Sequence, residues 1–249
     1  MISSRNHLRF NRLDAGTCIA RGENTLEKDA CEAFPATNER IGEKMNANEI
    51  IPLQRGQIRH CADILSRAFF ADPFFAFILP DERKRLRVLP WLYQKLLAYG
   101  HRYGRVETTQ ELAGAAIWLG PHHTSLKLHG VLRTGLFLLP LKLSRQEFRR
   151  STGLANLSDQ LHRETISSAH FYLAELGVAP ASHGRGLGAA LVKSGLARAD
   201  HLQLPCYLET YNPDNLSFYA SLGFRPVERR RFSLEAPQIW GMLREPPFH

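Results

Sequence analysis

The stretch LGVAPASHGRGLGAALV, residues 176–192, decides how this chain is read. A run of strand-forming residues ends at Val178, a short turn containing Pro180 follows, and then Gly184, Gly186 and Gly188 fall at every second position before an apolar helix. Glycine lacks a Cβ, so its backbone can take positive φ and lie close against a ligand. Consecutive N–H groups at a helix start face outward, reinforced by the positive end of the helix dipole, and a pyrophosphate suits them. Arg185 adds a cation inside the same loop.

Three readings fit such a turn. It can be a tight strand-to-helix connection that binds nothing. It can be a dinucleotide fingerprint, since Gly184-x-Gly186-x-x-Ala189 fits G-x-G-x-x-A and Glu209 follows at the distance of a ribose-binding acid. Context argues against that: Ala179 to His183 separate the strand from the glycines, and too little chain follows Glu209 for the rest of a doubly wound domain. The third reading is a coenzyme A pyrophosphate loop. Here the chain resembles the GNAT superfamily of N-acetyltransferases, whose strand ends V-x-P before Q/R-x-x-G-x-G/A opens a helix. This sequence has Val178-Ala179-Pro180 and then His183-Gly184-Arg185-Gly186-Leu187-Gly188, with His183 where the family has Gln or Arg.

Working outward, CYLETYNPDNLSFYASLGFRPV, residues 206–227, resembles the family's next strand and helix. Leu208-Glu209, Asn212, Asn215, Phe218-Tyr219 and Gly223-Phe224 occur in the family's order and spacing. With Trp240-x-Met242 and the aromatic run FFADPFFAFILPDE, the chain is similar to the puromycin-acetyltransferase-like type. The resemblance implies an α/β protein of GNAT fold, with a mixed, mostly antiparallel sheet of about six to seven strands flanked by helices.

It also implies acetyl transfer from acetyl-CoA to an amine by direct attack. Tyr219 would be the proton donor to the departing thiolate, because a phenol titrates near 10 and stays neutral at pH 7. Glu209, then Glu175, would be the base; a carboxylate on an apolar central strand is costly to bury unless paired or raised in pKa. Glu209 also reads as a structural hydrogen-bonding carboxylate, Tyr219 reads with Phe218 as a core aromatic, and strand alternation does not fix the face that Glu175 takes. Backbone groups of Leu176, Gly177 and Val178 would meet the acyl oxygen and the pantetheine arm. His183, Gly184, Arg185, Gly186, Leu187, Gly188 and Ala189 would cradle the diphosphate. Asn212 and Asn215 would hold the pantetheine amide, unless Asn215 simply caps a helix.

The wider pattern is alternating strand and helix. Expected elements are strands at 50–53, 105–108, 112–119, 170–178, 205–211, 225–234 and 238–243, and helices at 58–70, 84–103, 186–201 and 215–222. Pro90 is expected to kink the second helix. The segment 125–150 is helical in character with a break at Pro140, while FFAFILPDE reads as an unusually aromatic loop. Residues 1–44 lack periodicity and are expected to be a poorly ordered leader; 45–249 form the catalytic domain.

Composition excludes little. Net charge is +8, and residues 1–44 balance seven cations against seven anions, so the excess belongs to the folded part and suits an anionic ligand. Four scattered cysteines show no zinc spacing, and no metal site is expected; His122-His123 lack a third ligand, and Cys206 reads as core. No apolar run reaches membrane-helix length. The expectation is a cytoplasmic monomer or homodimer that binds neither membrane nor nucleic acid. Its acceptor would be a small-molecule amine, with a protein lysine or N-terminus as the alternative, or the chain would be a non-catalytic acyl-CoA-binding module.

Overall fold

The computed structural model describes residues 49–121 and 123–247; the expected leader and His122 lie outside the described residues. One sheet of seven strands organises the chain: β1 (Ile50–Pro52), β2 (Arg105–Thr109), β3 (Gly114–Leu119), β4 (Phe171–Val178), β5 (Cys206–Thr210), β6 (Arg225–Arg231) and β7 (Gln238–Arg244). Their order across the sheet is β1-β2-β3-β4-β5-β7-β6. Only β4 and β5 run parallel; every other neighbouring pair is antiparallel.

Helices cover both faces. On one side lie α1 (Ile58–Ala68), α2 (Pro73–Ile78) and α3 (Glu82–Tyr103), joined further along by α4 (Leu128–Thr134) and α5 (Arg145–Thr165). The opposite side carries α6 (Leu187–His201), with α7 (Asn215–Ser221) beside it. The expected apolar stripe of α1 is buried at Cys61, Ala62 and Leu65, and packs with α3 residues Leu89, Tyr93 and Leu97. Behind the sheet, Trp118 is fully buried among Leu191, Val192 and Leu196. Gly195 makes that possible, since a Cβ there would stand 2.1 Å from the Trp118 ring. Cys206 is likewise core, its thiol pushed up to about 12 by burial, which agrees with a packing role.

Several expectations need correction. The aromatic segment is a helix: Asp72 accepts the Phe74 N–H at 2.9 Å, Pro73 occupies the first turn, and α2 follows. Pro90 lies within one unbroken helix α3. The region 125–150 forms α4, then a 3₁₀ segment at Leu136–Lys142 that contains Pro140, and then α5, which runs on to Thr165. A capping box between Ser144 and Glu147 starts α5. The strand expected over 225–234 ends at Arg231.

Two arginines fix α2 as a roof. Buried Arg85 donates from α3 to the carbonyls of Phe70 and Leu79, at 2.6 and 3.0 Å, and Arg150 donates from α5 to that of Phe77 at 3.0 Å. Each of these bonds satisfies a carbonyl near α2 with a charged donor. The aromatic segment is thereby held between two long helices over the C-terminal half of β4.

Candidate active site

Strands β4 and β5 pair only over Phe171↔Cys206, Tyr172↔Tyr207 and Leu173↔Leu208. Beyond that point they part. β4 continues along β3 from Glu175 to Val178, while Glu209 and Thr210 continue along β7. One residue of β4, Ala174, has no partner opposite it where the register slips between Ile117 and Trp118; this bulge turns the strand. Residues Leu176 to Val178 therefore present an open main-chain edge on the β5 side. Glu175 and Glu209 stand on either arm of the fork.

The glycine loop closes the far end of β4. Gly184 and Gly186 have φ of +76° and +75°, and a Cβ built on either would meet nothing within 4 Å. The left-handed backbone requires glycine there, and the space beside it is open. Helix geometry leaves the N–H groups of the first turn of α6 without intrahelical acceptors, and Ala190 bonds back to the Gly186 carbonyl at 3.0 Å. An exposed row of donors beside open space fits the diphosphate of coenzyme A.

Within this loop the side chains have separate tasks. His183 donates from its ring Nε2 to the Val178 carbonyl at 3.0 Å, tying the loop to the strand end. Arg185 is half-exposed and lies 3.5 Å from Glu111. The Leu187 side chain is buried core, so only its backbone faces the loop. Gly188 of α6 faces Phe218 of α7, where an added Cβ would stand at 3.4 Å, an ordinary contact. Ala189 is part-buried in the first turn of α6.

A cavity of about 500 Å³ opens at the fork. Phe69, Phe74 and Phe75 roof it, α5 supplies one wall, and Glu175, Glu209 and Tyr219 all line it. Asp72 and Asp159 add two further carboxylates, whereas no lysine or arginine lines the cavity among the described residues. Burial raises the Glu175 carboxyl to about 8, and the neighbouring Asp72 charge adds to the rise. The Tyr93 hydroxyl opposes it, although that oxygen closes no hydrogen bond of normal geometry. Glu209 is raised to about 7 by burial, with the Tyr172, Ser158 and Tyr207 hydroxyls pulling it back. Tyr219 is 7% exposed, and burial, with the charges of Glu175 and Asp72, raises its phenol.

The two asparagines are placed differently from one another. Asn212 uses its side-chain oxygen to accept the Asp214 N–H at 3.0 Å, an Asx turn. Asn215 lines the cavity and donates to the Thr210 hydroxyl at 3.3 Å; Asp214, not Asn215, occupies the N-cap of α7.

Sequence reasoning passed over Asp72, Tyr172, Tyr207 and His162. Asp72 was legible only as a helix breaker. The two tyrosines lie at apolar strand positions and read as core; their meeting with Glu209 depends on a parallel register that periodicity does not supply. His162 sits on a helix whose cavity-facing side has no motif.

Comparison with known proteins agrees with this geometry. The model of the Acetyltransferase (GNAT) family matches residues 71–224, from the roof helix to the start of β6. An uncharacterized N-acetyltransferase of Schizosaccharomyces pombe is 25% identical over 198 residues, covering 76% of this chain and 79% of its own. Among solved structures, a Corynebacterium glutamicum protein described as histone acetyltransferase HPA2 and related acetyltransferase superposes with a TM-score of 0.57 at 19% identity, over 80% of this chain and 97% of its own. Arylalkylamine N-acetyltransferase 2 of Aedes aegypti gives 0.55 at 14% identity, over 79% and 98%. The seven-stranded sheet, the fork and the family match agree: the chain belongs to the GNAT acetyltransferase family and is an acetyl-CoA-dependent N-acetyltransferase.

Proposed function

We propose that this enzyme acetylates the primary amine of a small cationic molecule, with Glu209 as proton acceptor and Tyr219 as proton donor. The observation that carries this reading is the cavity at the fork: aromatic overhead, lined by four carboxyl groups, of which Asp159 already pairs with Arg163 of its own helix, and by no lysine or arginine among the described residues. A buried carboxylate without a cation is unfavourable, and an ammonium ligand relieves that cost. Aromatic faces add cation–π attraction for the same guest.

Acetyl-CoA, when bound, supplies the activated acetyl group. The residues that would hold it are the main chain of Gly184 to Ala189 at the diphosphate and the open edge of Leu176 to Val178 along the pantetheine arm. Arg185 contributes charge at the outer end. Asn215 offers its amide between them, and Asn212 shapes the turn before α7.

The two glutamates divide by proton affinity. Glu209, at about 7, is substantially ionised at neutral pH and can take the proton of the acceptor ammonium. Glu175, at about 8, holds its own proton under the same conditions and serves as the second candidate. Tyr219 keeps its proton on the phenol oxygen throughout this range, available to a leaving thiolate. The acid limb of kcat/KM is therefore expected near pH 7, with activity rising as pH rises through it.

The test is acetyl-CoA-dependent thiol release across a panel of amines that includes small diamines, arylalkylamines, puromycin, lysine peptides and peptide N-termini. Turnover confined to small amines is expected. Turnover confined to peptides would replace this reading with a protein acetyltransferase, and acetyl-CoA binding with no turnover on any amine would leave a binding module.

A further inference from the structure

We propose that Tyr172 and Tyr207 are positioning residues, a pair of phenol donors that fix the Glu209 carboxylate at the fork as the proton acceptor. The inference rests on the reading of Glu209 given above and adds two residues that carry it. Tyr172 donates its hydroxyl to Glu209 Oε2 at 2.7 Å, and Tyr207 donates to Oε1 at 3.2 Å. Each carboxylate oxygen thus has its own donor, one from each arm of the fork. The two tyrosines face each other across the parallel pair, one register step before β4 and β5 separate. Tyr207 and Glu209 share a strand face at i and i+2, so the clamp follows from strand geometry once the register is set.

The donors are themselves braced. The Tyr207 ring stacks on His162 at 4.4 Å and 23°, and His162 bonds ring to ring with His170 at 2.7 Å. His170 Nδ1 stands 2.6 Å from the Ser168 carbonyl, which can only accept. That makes His170 Nδ1 the proton bearer and leaves its Nε2 to accept from His162. Burial, first of all, and the neighbouring His170 push His162 down to about 4, so the stack stays neutral at physiological pH. Other groups facing Glu209 are Ser158 and Asp159 of α5 and Tyr211 just past β5, with Glu175 across the fork; at its register position β7 presents Gly241, which does not titrate. Both phenols are raised by burial and by the Glu209 charge, and so remain donors across the working range.

A hydrogen bond to the ionised form stabilises it, so losing one raises the proton affinity of the carboxylate. Tyr172→Phe keeps the ring and removes the shorter bond; Tyr207→Phe removes the longer. The experiment follows the Glu209 carboxyl carbon by NMR against pH in selectively labelled wild type and both variants, with no substrate present, and then the pH profile of kcat/KM. The expected result is a titration moved upward by about one pH unit in Tyr172→Phe and by less in Tyr207→Phe. The acid limb moves with it, so that lost activity near neutrality is recovered at higher pH.

A merely structural tyrosine would lower activity at all pH values with no recovery. Titration of Glu209 unmoved in both variants overturns the clamp. If Tyr172→Phe does not fold, Tyr207→Phe decides it: a Glu209 titration moved upward from wild type upholds the clamp, and one left unmoved overturns it. If the carbon titration moves as expected while no amine is turned over, the clamp stands and the acetyl-transfer reading of Glu209 falls.

Discussion

The two ends of the proposed active site are built from different parts of the polypeptide. The proposed donor end, Gly184 to Ala189 with the edge of Leu176 to Val178, offers main-chain groups, and its exposed side chains point elsewhere: His183 to Val178, Arg185 to Glu111. The acceptor end is the reverse, a cavity whose character comes from side chains on β4, β5, α2, α5 and α7. Backbone recognition tolerates side-chain change except where φ forbids it, whereas side-chain recognition fails on a single isosteric swap.

Glu209→Gln carries the largest expected effect. It removes the proposed proton acceptor and leaves the shape, so kcat/KM is expected to fall by roughly 10²–10⁴-fold while acetyl-CoA affinity by calorimetry is unchanged. Tyr219→Phe is next, with a loss on the order of 10² in kcat, the lower end of what a general acid contributes. Steady-state kinetics with a competent amine checks both.

At the donor end, Gly186→Ala forces a Cβ onto a residue at φ +75°, where nothing else is in the way. The strain of about 1–2 kcal/mol translates to roughly tenfold weaker acetyl-CoA binding with kcat nearly intact. A comparable loss in kcat instead would mean that the loop acts in the chemical step.

Glu175→Gln tests the cost of the buried carboxyl. Its folded-state pKa is raised to about 8 from 4.5, so the contribution to stability is full below the unfolded value and lost as pH rises through the folded one. The variant is expected to melt a few degrees above wild type at pH 9, with the gap closing toward pH 4. Equal melting temperatures at pH 9 would show that Glu175 has a cation partner in solution. Smallest of all is Arg185→Ala: an exposed pair with Glu111 is worth about 0–1 kcal/mol, so acetyl-CoA affinity shifts by no more than about fivefold, and less at high salt.

The same contrast explains what the sequence disclosed. The glycine loop was legible because glycines at alternate positions before a helix have few other uses, and the strand–helix–strand around Glu209 and Tyr219 followed from its spacing. Strand and helix order came through because apolar periodicity is a local property. The cavity was not legible in the same way. Asp72 and Glu175 are 103 positions apart and meet only after α2 folds over β4, which Arg85 and Arg150 arrange by gripping carbonyls that no pattern marks. Tyr172 and Tyr207 looked like core because on a strand they occupy core positions; their hydroxyls matter only at the fork. The helix at Pro73–Ile78 was hidden by aromatic density, since its start signal, Asp72-Pro73, also reads as an end.

The division of labour between the two ends is tested most directly by titrating acetyl-CoA calorimetrically into the double variant Glu209→Gln, Tyr219→Phe and measuring thiol release on the same preparation. The account predicts wild-type affinity within about twofold and turnover reduced to background. Weakened binding alongside the lost turnover, or turnover that survives both substitutions, would contradict it.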